Sequence, residues 1–218
     1  MPNIPRTARY RPETFHVRNM DEAKRIILTP EDTTTEERWH KETPYLADEI
    51  GAFMDLGEQS LLLDYGCGIG RMAKELIGRH GNSVVGVDIS PTIRQLAVAY
   101  VASERFTICP RPAFKAVLDC GARVDGALAI WSLQHCAKVE DDIALIQHAL
   151  KPNGSLFVCN TLRAAVPSDA GWIDTGFDIK ALLAETFDEV AIEPVSRDHT
   201  SESIAAAAFI GKYRKRPA

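Results

Sequence analysis

The chain has 218 residues, 45% of them hydrophobic and 25% charged, enough for one well-cored globular domain and too little for two. A formal net charge of -5 argues against a molecule built to attract phosphate backbones, and no apolar run is long enough to cross a bilayer. The five cysteines, Cys67, Cys109, Cys120, Cys136 and Cys159, show no CxxC spacing, so they read as reduced thiols rather than a disulfide framework or zinc cluster.

In chain order, the first 30 or so residues are rich in Pro and Arg and show no period. They predict an extended arm or short lid. The opening MPNIPRTARYRPETF has no apolar segment after its basic residues, so no secretory signal is read and a cytoplasmic location is expected. TPEDTTTEERWHKETPYLADEIGAFMDLG predicts a helix. Thr and Asp offer capping oxygens, Glu36 and Glu37 suit a first turn, and Leu46, Ile50 and Phe53 share a face. Pro44 is expected to break or kink it into two, and Gly57 to end it.

From Leu61 the pattern alternates. LLLDY and SVVGVDI read as buried strands, separated by the helix RMAKELIGRHG with Met72, Ala73, Leu76 and Ile77 on one face. SPTIRQLAVAYVAS opens a helix with Ser90 as cap and Pro91 at the first position. RFTICP and VDGALAIW are the third and fourth strands, VEDDIALIQHAL a helix, KPNG a turn and SLFVCN the fifth strand. DIKALLAETF reads as a helix and EVAIEPV…SESIAAAAFIG as a closing pair of strands. Apolar strands alternating with helices imply an α/β fold with a mostly parallel sheet covered on both faces. Ligands of such sheets bind beyond the carboxyl ends of the strands, beside the first one.

That place is occupied by LLLDYGCGIG. Glycine between strand and helix lets main-chain N–H groups approach a ligand, although a tight turn chosen for packing would look the same in isolation. The spacing Gly66-x-Gly68-x-Gly70 is not the G-x-G-x-x-G of dinucleotide enzymes. Asp64, just ahead of it, would repel a pyrophosphate and suits an ammonium group. Asp88 ends the second strand 18 residues beyond Gly70, near the distance at which an acid meets ribose hydroxyls. A ribose, an ammonium and no pyrophosphate describe S-adenosylmethionine better than NAD.

LLLDYGCGIGRMAKEL with VVGVDISPTIRQLA resembles the first two motifs of the class I S-adenosylmethionine-dependent methyltransferases. GALAIWSLQHC and ALKPNGSLFVCN resemble the fourth- and fifth-strand motifs, and the resemblance runs from about Leu61 to Ile210. It implies a Rossmann-like three-layer sandwich whose seven-stranded, mostly parallel sheet has an antiparallel last strand. The chain would then divide into an N-terminal arm and helical lid at 1–57 and a methyltransferase domain at 58–214. The resemblance also implies that Asp64, Gly66, Cys67 and Gly68 hold the methionine part, that Asp88 accepts from the ribose hydroxyls and that Ile89 packs on adenine. Ala129, Ile130 and Trp131 would lie beside the sulfonium, and Trp39 with Arg38 on a helix folded over the cofactor. After the third strand the family often places an acid on the adenine amine. Here the segment reads TICPRPAFKAV, so Cys109 to Ala113 are expected to offer main-chain contacts instead.

Methyl transfer from a sulfonium needs alignment and exclusion of water, with a base where the acceptor carries a proton. His135, just past the fourth strand, is either that base or a histidine bonded to a loop carbonyl; no other histidine joins a recognisable constellation. Trp131 and Trp172 are candidate pocket walls, and Asn160, Thr161 and Arg163 follow the fifth strand toward the acceptor. No D/N-P-P-Y/F motif and no metal set is present in the sequence. The expected reaction is methylation of an O or N atom of a small-molecule acceptor by S-adenosylmethionine, with no metal and no membrane partner. The alternatives are a nucleic-acid or protein methyltransferase, a nicotinamide-dependent oxidoreductase, disfavoured by the glycine spacing, and a non-catalytic subunit keeping the cofactor fold.

Overall fold

The computed structural model describes residues 8–217; residues 1–7 of the expected arm and Ala218 lie outside them. Two helices precede the sheet, α1 (Met20–Ile27) and α2 (Thr35–Phe53). Then come β1 (Leu61–Tyr65), α3 (Arg71–His80), β2 (Ser83–Val87), α4 (Pro91–Val101), β3 (Phe106–Cys109), α5 (Arg111–Asp119), β4 (Val124–Ile130), α6 (Val139–Ala149) and β5 (Leu150–Thr161). A small hairpin, β6 (Val166–Ser168) and β7 (Gly171–Ile173), is followed by α7 (Ile179–Thr186), β8 (Asp188–Pro194), α8 (Glu202–Ala207) and β9 (Ala208–Arg214).

The seven-stranded sheet has the order β3-β2-β1-β4-β5-β9-β8. β1 pairs in parallel with β2 and β4, while β9, last in the chain, runs antiparallel to both β5 and β8. Neighbouring residues of a strand face opposite ways. Leu62, Leu128 and Phe157 therefore enter a core with α1, α2, α3 and α4, and Leu63, Ala129 and Val158 enter a second core with α5, α6 and α7. The result is the expected Rossmann-like three-layer α/β sandwich with a mostly parallel sheet and an antiparallel last strand.

Several elements differ from the expectation. Pro44 stays inside one continuous α2. Leu46, Ala47 and Ile50 just after it are fully buried, and burial worth about 1.5–3 kcal/mol for each large side chain outweighs about 3 kcal/mol for an interior proline. The arm contains α1, whose start carries a cap: the Asn19 side chain accepts from the Glu22 N–H, and the Glu22 carboxylate accepts from the Arg18 N–H. The segment after β3 is helical from Arg111, so only Cys109 and Pro110 remain outside an α-helix of the Cys109–Ala113 stretch expected to offer main-chain contacts. KPNG lies within β5, where Asn153 takes φ +60°, and SESIAAA forms α8 between the two closing strands.

Candidate functional site

The Gly66–Gly70 loop leaves the carboxyl end of β1. Gly66 and Gly68 have φ of +73° and +56°, values that a side chain disfavours. A Cβ on Gly66 would collide with Ser132, and one on Gly68 would come within 2.6 Å of Ile27 Cδ1. The amides expected to reach a ligand are turned inward instead. Gly66 and Cys67 N–H donate to the Val87 carbonyl at 2.7 and 3.1 Å, and Gly68 N–H donates to Asp88 Oδ2 at 3.0 Å. At these three positions the amides tie the β1 turn to the tip of β2, and the glycines contribute room.

Asp88 is buried at that tip. Its other oxygen accepts the Ser90 N–H at 2.8 Å, so each oxygen retains an acceptor position. Burial pushes its carboxyl upward, and the two N–H bonds pull it back. Asp64, paired in register with Gly86 of β2, faces the α2–α3 layer with 2% of its surface exposed. Its Oδ2 has no hydrogen-bond partner among the described residues. Burial moves this carboxyl to about 7 against the pull of the Arg71 guanidinium, with a further push from Asp88. An unbonded buried acceptor costs about 1–3 kcal/mol and favours any cation or N–H donor brought to it.

A cavity of about 500 Å³ crosses the tips of β1, β2 and β4. Gly66, Gly68, Asp88 and Ile89 line one side, with Ile130, Trp131, Ser132 and His135 from the end of β4 beside them. Tyr10, Phe15, Ile26 and Ile27 of the N-terminal segment lie across it, and Tyr65, Arg111 and Asp142 line its far wall. Trp131 takes φ +55°, a costly conformation for so large a residue. It is held there by its N–H on the Cys159 carbonyl at 2.7 Å and by its indole N–H on Glu42 Oε2 at 3.2 Å. Glu42 also accepts from Arg38 Nε and Thr200 Oγ1, each at 2.5 Å. Arg38 is thus half of a buried ion pair and not a surface cation.

Three expected cofactor contacts do not line this cavity: Asp64, buried near the end of β1, and Trp39 and Cys67. Trp39 is packed between Tyr100, Lys24 and Arg71 inside the helical layer, because the face of α2 carrying it turns to α1, α3 and α4. The Cys67 side chain points to Gly86, where a Cβ would meet its sulfur at 2.7 Å. Burial pushes that thiol well up and leaves it protonated.

His135 ends a short turn after β4. Its Nδ1 lies 2.7 Å from the Ala165 carbonyl. A carbonyl only accepts, so Nδ1 carries the proton and Nε2 keeps its lone pair. Burial lowers the histidine below its ordinary value, more than the carbonyl raises it. Phe15 and Trp172 stand 5.6 and 5.4 Å from the imidazole, centre to centre, and 6.2 Å from one another. The arm and the β6–β7 hairpin are sewn together by Arg11 N–H on the Pro167 carbonyl and Arg9 N–H on Asp169. Asn160 is fully buried and accepts the Gln134 N–H at 3.1 Å, so it fixes the His135 turn. Thr161 bonds the Arg163 carbonyl, and Arg163 lines a separate cavity of about 380 Å³ with Asp174 and Lys180.

Sequence reasoning missed Glu42, Arg71, Tyr65, Arg111 and Asp142. Alternation from Asp64 already sends Tyr65 to the opposite layer, where α6 begins with Glu140, Asp141 and Asp142. Among the described residues no group of three or more His, Cys, Asp and Glu is placed to hold a metal ion, and no helix is long and apolar enough to cross a membrane.

A family model described as a methyltransferase domain matches residues 63–158. The O-methyltransferase resE of Aspergillus sclerotiorum is 28% identical over 133 residues, 60% of this chain and 50% of that protein. A ubiquinone biosynthesis O-methyltransferase of Methylobacterium nodulans is 31% identical over 126 residues, 53% of this chain and 50% of that protein. The chain spans about half the length of these curated relatives. Among solved structures, the PH0226 protein from Pyrococcus horikoshii OT3 superposes with a TM-score of 0.65 at 19% identity, over 91% of this chain and 100% of that one, a likeness of fold alone. Sheet order, glycine turn and matched domain agree: residues 63–158 are similar to a methyltransferase domain, within a fold of the class I S-adenosylmethionine-dependent methyltransferase type.

Proposed function

We propose that this chain moves a methyl group from S-adenosylmethionine to an oxygen or nitrogen atom of a small-molecule acceptor, a hydroxyl being the acceptor the site suits best. The observation that carries the reading is Asp88, a buried carboxylate with acceptor positions left over that lines a cavity of nucleoside size, together with Asp64, whose Oδ2 is unbonded, buried on the adjacent strand. Asp64 takes the ammonium of the cofactor, and the remaining acceptor positions of Asp88 take the ribose hydroxyls. Gly66 and Gly68 leave the cavity floor free of side chains, and Ile89, half exposed on its wall, packs on the base. The cofactor supplies a methyl group already activated on a sulfonium.

What remains for the protein is alignment, water exclusion and a place for the acceptor's proton. The lone pair of His135 Nε2 accepts that proton, and the Ala165 carbonyl keeps the imidazole in the required tautomer. Phe15, Trp172 and the arm-hairpin clasp act as a lid over this end of the site. Both curated relatives named above are O-methyltransferases, which supports a hydroxyl acceptor.

Calorimetric titration with S-adenosylhomocysteine is expected to give one site per chain, and its absence would overturn the reading. With an acceptor panel, turnover on hydroxyls is expected to fall about 100-fold or more in His135→Gln. The wild-type kcat/KM should rise with pH through a value below the ordinary histidine 6.5, since burial favours the neutral ring. An unchanged rate in His135→Gln would remove His135 from the chemistry.

A further inference from the structure

Resting on the cofactor assignment just made, we propose that Tyr10 of the N-terminal arm is a further cofactor-binding residue. Its phenol closes the nucleoside on the side away from the sheet, and its hydroxyl donates to the ribose hydroxyls held by Asp88. Residues 9–11 run antiparallel beside β6 and the turn that follows it. Tyr10 is bridged to Ser168, Arg11 N–H donates to the Pro167 carbonyl and Asp169 N–H to the Arg9 carbonyl, each at 3.0 Å. Side chains alternate along this stretch: Arg9 and Arg11 are exposed, while half-buried Tyr10 turns inward and lines the large cavity. At the other end of the strap, Val17 N–H donates to Thr92 Oγ1 at 3.0 Å, and that hydroxyl lies 3.1 Å from Ser90 Oγ. Ser90 is the residue whose N–H bonds Asp88 Oδ1. The strap thus crosses the cavity from the hairpin to the turn that carries Asp88.

The chemistry of the ribose calls for a donor on this side. A carboxylate only accepts, so a ribose hydroxyl that donates to Asp88 keeps lone pairs in need of an O–H or N–H. The N–H groups of Gly68 and Ser90 are engaged by Asp88 itself. Arg94, whose charge acts on Asp88, turns Nη1 to the Asp88 and Ile89 carbonyls at 2.7 and 3.0 Å and does not line the cavity. The Tyr10 hydroxyl makes no hydrogen bond among the described residues. Burial raises the phenol above its ordinary 10, and Cys136, Asp142, Asp88 and Glu13 push it the same way. It is therefore a protonated donor at neutral pH, within reach of the charge on Asp88.

The experiment measures S-adenosylhomocysteine and its 2′,3′-dideoxy analogue by calorimetry on the wild type and Tyr10→Phe. For S-adenosylhomocysteine, Tyr10→Phe is expected to bind about five- to tenfold more weakly, the loss of one hydrogen bond with the ring retained. For the dideoxy analogue the two proteins are expected to agree within about twofold, because the partner of the phenol is gone. Equal losses on both ligands, no loss on either, or tighter binding by Tyr10→Phe would overturn the inference and leave the cofactor reading standing. If the wild type does not bind S-adenosylhomocysteine, the cofactor reading itself fails. Where the dideoxy analogue binds too weakly to titrate, amide exchange decides. S-adenosylhomocysteine is expected to slow exchange of the Arg11 and Asp169 N–H groups about fivefold or more in the wild type and less than about twofold in Tyr10→Phe. Equal slowing in both proteins, or none in the wild type, would mean that the phenol does not fasten the strap to the cofactor.

Discussion

Because Asp64 lies under the tip of β1 with one oxygen unbonded, its carboxyl titrates near 7 and not near 4. Unfolded, the same group loses its proton at about 3.9. Between these values the folded chain binds more protons than the unfolded one, so stability falls as pH rises through that window and levels above it. Asp64→Asn removes this dependence. The ligand-free variant is expected to match the wild type near pH 4 and to exceed it at pH 8 by about 1–4 kcal/mol, since each pH unit between the folded and unfolded titration points is worth about 1.36 kcal/mol. Denaturant titrations at the two pH values measure this; a variant less stable than the wild type at pH 8 would mean that the charged form of Asp64 supports the fold. The same variant is expected to lose affinity for S-adenosylhomocysteine, trading function for stability in the way a ligand-directed charge should. Asp64 and Asp88 were legible in the sequence because strand ends and glycine spacing locate them. Glu42 and Arg71 were not, since their meaning lies in which helix face meets the sheet, and that depends on packing rather than on local pattern.

At the scale of elements, β1 to β5 and α3, α4 and α6 could be read from their apolar patterns, helped in α4 by the Ser90 cap. α1 and α5 escaped for different reasons. The α1 signal was present in Asn19 and Glu22 but lay in a Pro- and Arg-rich stretch. In α5, Pro112 masked a helix whose Phe114 and Leu118 pack on the sheet. The β6–β7 hairpin has only three residues in each strand and gains order from partners far along the chain, chiefly Tyr10 and Arg11. No local rule reports such a partner. Trp172 on this hairpin is half exposed yet touches His135 and Phe15. Trp172→Ala is therefore expected to cost less than about 1 kcal/mol of stability. Its effect should fall on the acceptor, with KM raised about tenfold and the affinity for S-adenosylhomocysteine changed by less than about threefold. Equal losses for both ligands would place Trp172 over the cofactor instead of the acceptor.

Across the whole molecule the N-terminal segment shares its interior with the sheet. Trp39, Leu46, Ala47 and Ile50 of α2 enter the same core as Leu62, Leu76, Leu128 and Phe157. Glu42 adds a polar tie at the centre of that contact, joining Arg38 of its own helix, Thr200 of the loop before α8 and Trp131 beyond β4. Truncating one member of a buried ion pair costs about 3–5 kcal/mol, because the partner's charge stays buried without compensation. Glu42→Ala should therefore lower the melting temperature of the entire chain by roughly 6–20 °C, in a single transition. Glu42→Gln keeps acceptors for Trp131 and Thr200 and is expected to lose less. Were residues 1–57 a lid that folds apart from 58–214, calorimetry of Glu42→Ala would show a small early transition and leave the main one in place. One transition shifted as a unit would mean that the helix carrying Glu42 sets the shape of the Trp131 turn, and with it the cavity, as part of the same cooperative fold.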